Sequence, residues 1–278
     1  MAELGVRKIK VTGGEPLLRR GTPSLIKNLK SIPKIEKVTF TTNGLLLGAY
    51  LDEVAALGED SLPDGINISL DALDSERYKY ITRSENADPQ KILSLIDCFL
   101  EKKINVKINC VPVRSVNEEE IISFTILAKD KNITVRFIEL MPLGSAVSFQ
   151  PVHGSEVAAR IEKAFGKLIP FSGVDGSGPA SYYSLEGFTG KIGFINPVTH
   201  GFCETCNRLR LTSEGYLKLC LSNDLGEDLR EPIRSGISDN ELVQIIIEAV
   251  AKKPQFHTLS GIYGASDKHP CGMSKIGG

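Results

Sequence analysis

The sequence predicts an α/β fold whose parallel sheet is polar on one face, and three observations lead there. Short strand patterns alternate with helical ones through the first half, with strands at 6–11, 37–42, 65–70, 104–111 and 133–140 and helices at 24–30, 50–57, 90–103 and 118–130. Such alternation makes βαβ units, in which each helix returns the chain so that successive strands run parallel. The strands are also polar at every second residue. Thr39, Thr41 and Asn43 oppose Val38, Phe40 and Thr42; Asn67, Ser69 and Asp71 oppose Ile66, Ile68 and Leu70; Lys107 and Asn109 oppose Val106, Ile108 and Cys110. A doubly wound sheet would be apolar on both faces, so this pattern suits a barrel whose inside holds a ligand. Finally, the alternation stops near Met141, which divides the chain into 1–141 and an extension, 142–278.

Taken in order, the first five residues read as the last turn of a helix, with Gly5 at the C′ position, running straight into a strand. A βα fold begins with a strand, so at least one unit of roughly 30 residues is expected upstream. Thr12-Gly13-Gly14-Glu15-Pro16 closes the first strand. Its two glycines let a ligand approach the backbone, although a plain turn has the same composition. No Gly-Lys-Ser/Thr follows, so this is not a phosphate loop. Lys107 stands on a polar strand face, where a lysine is costly unless it meets an anion. Lys10, Arg19, Arg136, Arg208 and Arg210 are the other basic candidates. Arg208 and Arg210, two apart on an expected strand, would point the same way and grip a phosphate; solvated surface charge is the plain alternative. In the extension follow a helix at 154–165, a Gly/Ser-rich stretch at 172–181, antiparallel-looking strands, an amphipathic helix at 240–252 and an irregular tail from 257.

Composition excludes several classes. The 278 residues are 41% hydrophobic and 24% charged, ordinary for a globular protein, with a formal net charge of -1. That balance argues against a surface built for nucleic acid or anionic membrane. No apolar run approaches a membrane span and no signal segment is visible, so a cytoplasmic location is expected. Six cysteines in a chain of this length do not form a disulfide framework.

Cys203, Cys206 and Cys220, spaced Cys-x2-Cys-x13-Cys, bring three thiolates together across a knuckle and a hairpin. Zinc sites and four-iron clusters normally take four ligands. Three thiolates on a cluster would leave one iron open to substrate, beside the charge of Arg208 and Arg210. His200 offers a Cys3His zinc site from the same segment, and the spacing alone leaves both metals open. Cys98, Cys110 and Cys271 lack ligand spacing and read as buried or free thiols. His153, His257 and His269 have no evident partner and read as surface histidines.

Together, TGGEPLLR, TTNG, NISLDAL, VKINCV, VRFIELMP, CETCNRLRLTSEGYLKLCL and the terminal MSKIGG resemble one family, from the first strand to the last residue. It is the radical S-adenosylmethionine GTP 3′,8-cyclases of molybdenum cofactor biosynthesis (molybdenum cofactor biosynthesis protein A). The resemblance implies a partial (β/α)6 barrel, lacking its first unit here, that holds S-adenosylmethionine, with a C-terminal cluster-binding domain and GTP between them. Carried over by motif, Cys203, Cys206 and Cys220 would ligate a 4Fe-4S cluster whose open iron takes the guanine base. Lys10, Thr41, Lys107, Arg208, Leu209 and Arg210 would bind GTP, with Arg19 and Arg136 as phosphate-side helpers. Gly14, Ser69 and Met141 would contact S-adenosylmethionine. Gly277 and Gly278 would be a tail that reaches toward the site.

The implied chemistry is reductive cleavage of S-adenosylmethionine, hydrogen abstraction from C3′ of GTP and attack of that carbon on C8. The product would pass to cyclic pyranopterin monophosphate synthase. An electron donor is implied, and an unpaired barrel edge makes a homodimer possible. Two departures stand out. Lys10 replaces the family's arginine before TGGEP, keeping charge but losing the fork. The family's Cys-x3-Cys-x2-Cys motif for a second 4Fe-4S cluster is absent from these residues, so the chain as written is expected to bind the C-terminal cluster without cleaving S-adenosylmethionine. A non-catalytic nucleotide- or cluster-binding remnant and a zinc-knuckle protein are the alternatives.

Overall fold

A computed structural model describes residues 1–173 and 178–256. At its start, the Val6 and Gly5 N–H groups donate to the carbonyls of Met1 and Ala2, both at 3.2 Å, with Gly5 at φ +96°. These bonds close a turn before the first strand, and it needs glycine because an L side chain is strained there. His257, His269, Cys271, Gly277 and Gly278 lie outside the described residues.

Five strands fall where the alternation predicts them: β1 (Lys8–Val11), β2 (Lys37–Thr42), β3 (Gly65–Ser69), β4 (Asn105–Cys110) and β5 (Thr134–Ile138). They pair in parallel and in chain order. The helices are α1 (Thr22–Lys30), α2 (Leu47–Leu57), α3 (Ser75–Thr82), α4 (Pro89–Glu101), α5 (Ile121–Asp130) and α6 (Gly154–Phe165). The expected helix at 118–130 opens as a tighter 3-10 turn, Glu118–Glu120. Helix α3 has no counterpart in the sequence reading: only Tyr78 on it is buried, so no apolar stripe marks it. Its start is set by Asp74, whose carboxylate accepts the Arg77 N–H at 2.8 Å.

Register explains where the polar residues go. Paired residues of a sheet share a face, and the pairings Lys10↔Thr39, Thr41↔Asn67, Asn67↔Lys107 and Asn109↔Arg136 put all of them on one side. The opposite side carries Val38, Phe40, Ile66, Ile68, Val106, Ile108, Val135 and Phe137, all buried in the main core. Helices pack there; Ile92, Ile96 and Phe99 of α4 and Tyr50 and Val54 of α2 are buried in the same core. Fully burying each such side chain contributes about 1.5–3 kcal/mol.

Beyond residue 141 the sheet continues. Strands β6 (Ile169–Pro170) and β7 (Ser181–Ser184) are antiparallel, as the extension's pattern suggests, but β8 (Lys191–Ile195) runs parallel beside β5. The resulting order is β1-β2-β3-β4-β5-β8-β7-β6. A second sheet of β9 (Arg210–Leu211), β10 (Tyr216–Lys218) and β11 (Gly226–Asp228) follows, then α7 (Arg230–Arg234) and α8 (Asp239–Ala251). It has its own core of Leu217, Leu219, Leu229, Ile246 and Ala249. Among the described residues no helix is long and apolar enough to cross a membrane.

Candidate functional site

The polar face of the large sheet is organised around Arg136. Its guanidinium donates to Asn109 Oδ1 at 2.8 Å and Asn67 Oδ1 at 2.5 Å, so carboxamides from two neighbouring strands hold a buried cation in one orientation. Asn67 is itself anchored through its donation to the Phe40 carbonyl at 3.2 Å. Room for Arg136 comes from Gly193 on β8, where a Cβ would meet Arg136 Cγ at 2.9 Å and the Tyr182 ring at 3.1 Å. Tyr182 in turn accepts from Lys107 Nζ at 3.3 Å, with the ammonium 4.9 Å from the ring centroid.

At the end of β1, the Gly13–Gly14 turn is held by Glu15. Its carboxylate accepts from Thr42 Oγ1 and the Asn43 amide, both at 2.7 Å, and from the Leu17 amide at 3.1 Å. One side chain thereby locks the turn after β1 to the loop after β2. Gly13 has φ +140° and nothing within 4 Å of where a Cβ would be, so its backbone faces open space. Ser69, Thr41 and Met141 are partly buried and Gly14 is exposed.

Glu139 joins the large sheet to the cysteine segment. Its side chain is fully buried and its Oε2 accepts from the amides of Val198 and Thr199, both at 3.0 Å. Its Oε1 lies 3.0 Å from His153 Nδ1, so His153 has a partner where the sequence suggested none. The chain then enters the knuckle, in which the Cys206 N–H donates to the Cys203 carbonyl at 3.0 Å. The three thiols of Cys203, Cys206 and Cys220 are free and half-buried.

Charge converges here from both parts of the chain. Lys10 is accessible to solvent, yet its pKa is pulled down to about 8. Desolvation by the surrounding protein is the main cause, followed by the charges of Arg136, Arg208, Lys107 and Arg210. Four like charges around one amine favour its neutral form, and an anion among them would reverse that. Arg210 is also held below its ordinary value, by burial and then by Arg208, while the thiols of Cys206 and Cys220 oppose the shift. Burial raises the Cys206 thiol, but the amide and guanidinium of Arg208 and the charge of Lys253 outweigh it and leave the thiol lowered. Cys110 contrasts with it: burial pushes that thiol well up, the signature of an inert core cysteine.

Each site residue of the described chain can be placed. Lys10, Lys107, Arg136, Arg208 and Arg210 gather within one electrostatic field. Arg208 and Arg210 do not share a strand, since β9 starts only at Arg210; Arg208 lies in the preceding loop, 4.9 Å from the centroid of the Phe202 ring. The side chain of Leu209 packs against the second core. Arg19 is exposed, and its carbonyl accepts from Thr22 Oγ1 at 2.9 Å. Among the described residues, no three His, Cys, Asp or Glu side chains close around a single ion. His200 Nδ1 lies 3.2 Å from Thr199 Oγ1. Thiolates on a cube of irons each hold a different metal atom and stand wider apart than ligands on one zinc. Three half-buried thiols, one of them acidified, beside fixed cations have the donor chemistry of such a cube. Glu15, Glu139, Tyr182 and Gly193 were not singled out from sequence. A signal for Glu139 existed, a lone carboxylate directly after the strand pattern of β5.

Comparison with known proteins bears on this arrangement. The Radical SAM superfamily model matches residues 1–127, and that of Molybdenum Cofactor Synthesis C matches residues 133–259. The whole chain is 44% identical to the GTP 3′,8-cyclase of Clostridium perfringens (strain 13 / Type A), covering 83% of that protein. The chain belongs to the GTP 3′,8-cyclase family. Another member, from Syntrophomonas wolfei, is 41% identical over the whole chain and 83% of its own length. The family's fold is shared by a more distant protein, Streptococcus suis SuiB, whose crystal structure bound to S-adenosylmethionine superimposes with a TM-score of 0.56 at 16% identity. That match covers 95% of this chain and 67% of SuiB.

Proposed function

We propose that the chain belongs to a GTP 3′,8-cyclase, which converts GTP to 3′,8-cyclo-7,8-dihydroguanosine 5′-triphosphate in molybdenum cofactor biosynthesis, and that turnover also needs a radical-generating cluster whose Cys-x3-Cys-x2-Cys ligands are not among these 278 residues. The observation that carries this reading is the convergence of Lys10, Lys107, Arg136, Arg208 and Arg210 beside the cysteine triad. In this reading the segment 1–141 contributes a partial (β/α)6 barrel and 142–278 the cluster- and GTP-binding part. Lys10, Lys107 and Arg210 take the triphosphate, Arg208 and the Leu209 backbone its nucleoside side, and Thr41 reaches it from β2. Gly14, Ser69 and Met141 hold S-adenosylmethionine, with the turn locked by Glu15 presenting its backbone to the amino-acid end. Cys203, Cys206 and Cys220 hold a 4Fe-4S cluster.

When bound, the cluster would supply an iron on which the base can rest, and S-adenosylmethionine would supply the radical precursor for a reducing cluster whose Cys-x3-Cys-x2-Cys ligands these 278 residues do not contain. The chain's own contribution is positional. Arg136 is already oriented by Asn67 and Asn109, so binding a phosphate there costs little side-chain ordering. An external electron donor and a downstream cyclic pyranopterin monophosphate synthase complete the proposed sequence.

The test is calorimetric titration of the anaerobically reconstituted chain with GTP and with guanosine. GTP is expected to bind far more tightly. Arg210→Ala should weaken GTP about tenfold to a hundredfold, the loss of one charged hydrogen bond, and leave guanosine nearly unaffected. Equal affinity for GTP and guanosine would refute the reading, because the cationic field would then not be sensing phosphate.

A further inference from the structure

Helix α8 has a use that its amphipathic pattern does not suggest. Its start is fixed by a capping box: Ser238 Oγ accepts from the Glu241 amide at 3.3 Å, and the Glu241 carboxylate accepts from the Ser238 amide at 2.9 Å. Its buried face, Ile246 and Ala249, packs on Leu217, Leu219 and Leu229, which sets the helix axis against β10 and β11. The helix ends at Ala251, and Pro254 prevents its continuation. These constraints deliver Lys253 to one place.

There Lys253 Nζ donates to the carbonyl of Arg208 at 2.9 Å and to the carbonyl of Leu219 at 2.6 Å. Arg208 follows Cys206 by two residues, and Leu219 immediately precedes Cys220. The β9–β10 ladder pairs Leu217 with Leu211 and Lys218 with Arg210. Just past its last pair, the ammonium acts as one further rung, joining the knuckle arm to the arm that carries Cys220. Lysine suits this role, since it has three donors, no acceptor and a long stem.

We propose that Lys253 is a positioning residue for the cysteine triad, setting the separation between Cys206 and Cys220. The inference rests on the cluster reading above, but its geometry can be read without a cluster. Lys253→Met keeps the stem and removes the donors, and Lys253→Arg restores donors.

In the cluster-free chain, a short bis-maleimide is expected to join Cys206 to Cys220 in the wild type, as mapped by peptide mass spectrometry. The yield should fall several-fold in Lys253→Met and recover in Lys253→Arg. After anaerobic reconstitution with iron and sulfide, Lys253→Met should release iron to a chelator about tenfold faster or more, as when a partner that orients metal ligands is lost. The electron paramagnetic resonance spectrum of its reduced form should also change, while far-UV circular dichroism stays that of the wild type.

Wild-type cross-linking together with wild-type iron release in Lys253→Met would overturn the proposal. A wild-type chain that takes up neither iron nor sulfide would instead remove the cluster reading, and the cross-link would then decide the role of Lys253 alone. Should Lys253→Met fail to fold, Lys253→Gln, whose shorter amide cannot reach both carbonyls, takes its place: a several-fold lower cross-link yield supports the role, and wild-type yield with wild-type iron release overturns it.

Discussion

The two halves of the site are held in different ways. On the large sheet, Arg136 is locked by carboxamides from adjacent strands, themselves fixed by parallel register above a continuous core of aromatic and aliphatic side chains. In the C-terminal part the second core is small, Leu217, Leu219, Leu229, Ile246 and Ala249. Position there depends on single polar ties: Glu139 to the amides of Val198 and Thr199, and Lys253 to two carbonyls. A cation site can thus be inherited from the sheet's geometry, whereas the cysteine segment is placed by a few long-range hydrogen bonds. In the proposed reading, part of its order would be left to the cluster that the thiolates hold.

The sharpest way to break this contrast is to remove one large side chain from each core. Phe40, fully buried against Tyr50 with ring centroids 5.1 Å apart, should cost about 3–5 kcal/mol as Phe40→Ala in urea unfolding. Leu217→Ala should act locally. Hydrogen exchange is expected to speed up at Tyr216–Lys218 and Gly226–Asp228 while the amides of β2 to β5 keep their protection. Faster exchange throughout the large sheet would merge the two parts into one cooperative unit.

A smaller effect tests how the large sheet presents its turn. Glu15→Gln keeps one carbonyl oxygen where the carboxylate used both, so either the Asn43 amide or the Thr42 and Leu17 donors lose their acceptor. A loss of about 1–3 kcal/mol in thermal melting is expected, with weaker S-adenosylmethionine binding. Unchanged melting would show that the turn after β1 holds its shape without this tie.

The mildest test couples the halves through pH. Free Lys10 has its pKa lowered to about 8, by desolvation and then by the surrounding cations. A bound triphosphate would raise it, so binding takes up a proton. GTP affinity should be full below pH 8 and fall above it, by at most about tenfold per pH unit, until the bound form's pKa is passed. Without ligand the sign for folding is opposite. From about pH 8 up to the ordinary lysine value the unfolded chain holds the extra proton, so stability rises with pH. Lys10→Met should flatten both profiles; a GTP profile unchanged by that substitution would take Lys10 out of the phosphate site.

Much of this was legible in residue order. Period-2 alternation within strands located the five parallel strands and their polar face, because the pleat puts every second side chain on the same side whatever the chain does elsewhere. The Cys-x2-Cys-x13-Cys spacing marked the knuckle and the β9–β10 hairpin, because a two-residue gap is spanned by one turn. Helix α3 was hidden because its sequence carries no apolar stripe, and β8 because a strand's pattern does not say which neighbour it joins.

What only the tertiary structure decided is partnership. Register sets Arg136 between Asn67 and Asn109, with Gly193 leaving it room. Chain return brings Arg208 and Arg210 to Lys10 across most of the sequence, and the end of α8 carries Lys253 to the arms of the knuckle. Periodicity is a property of the local backbone, whereas a hydrogen bond between distant residues exists only after loop closure and core packing have fixed where each element ends.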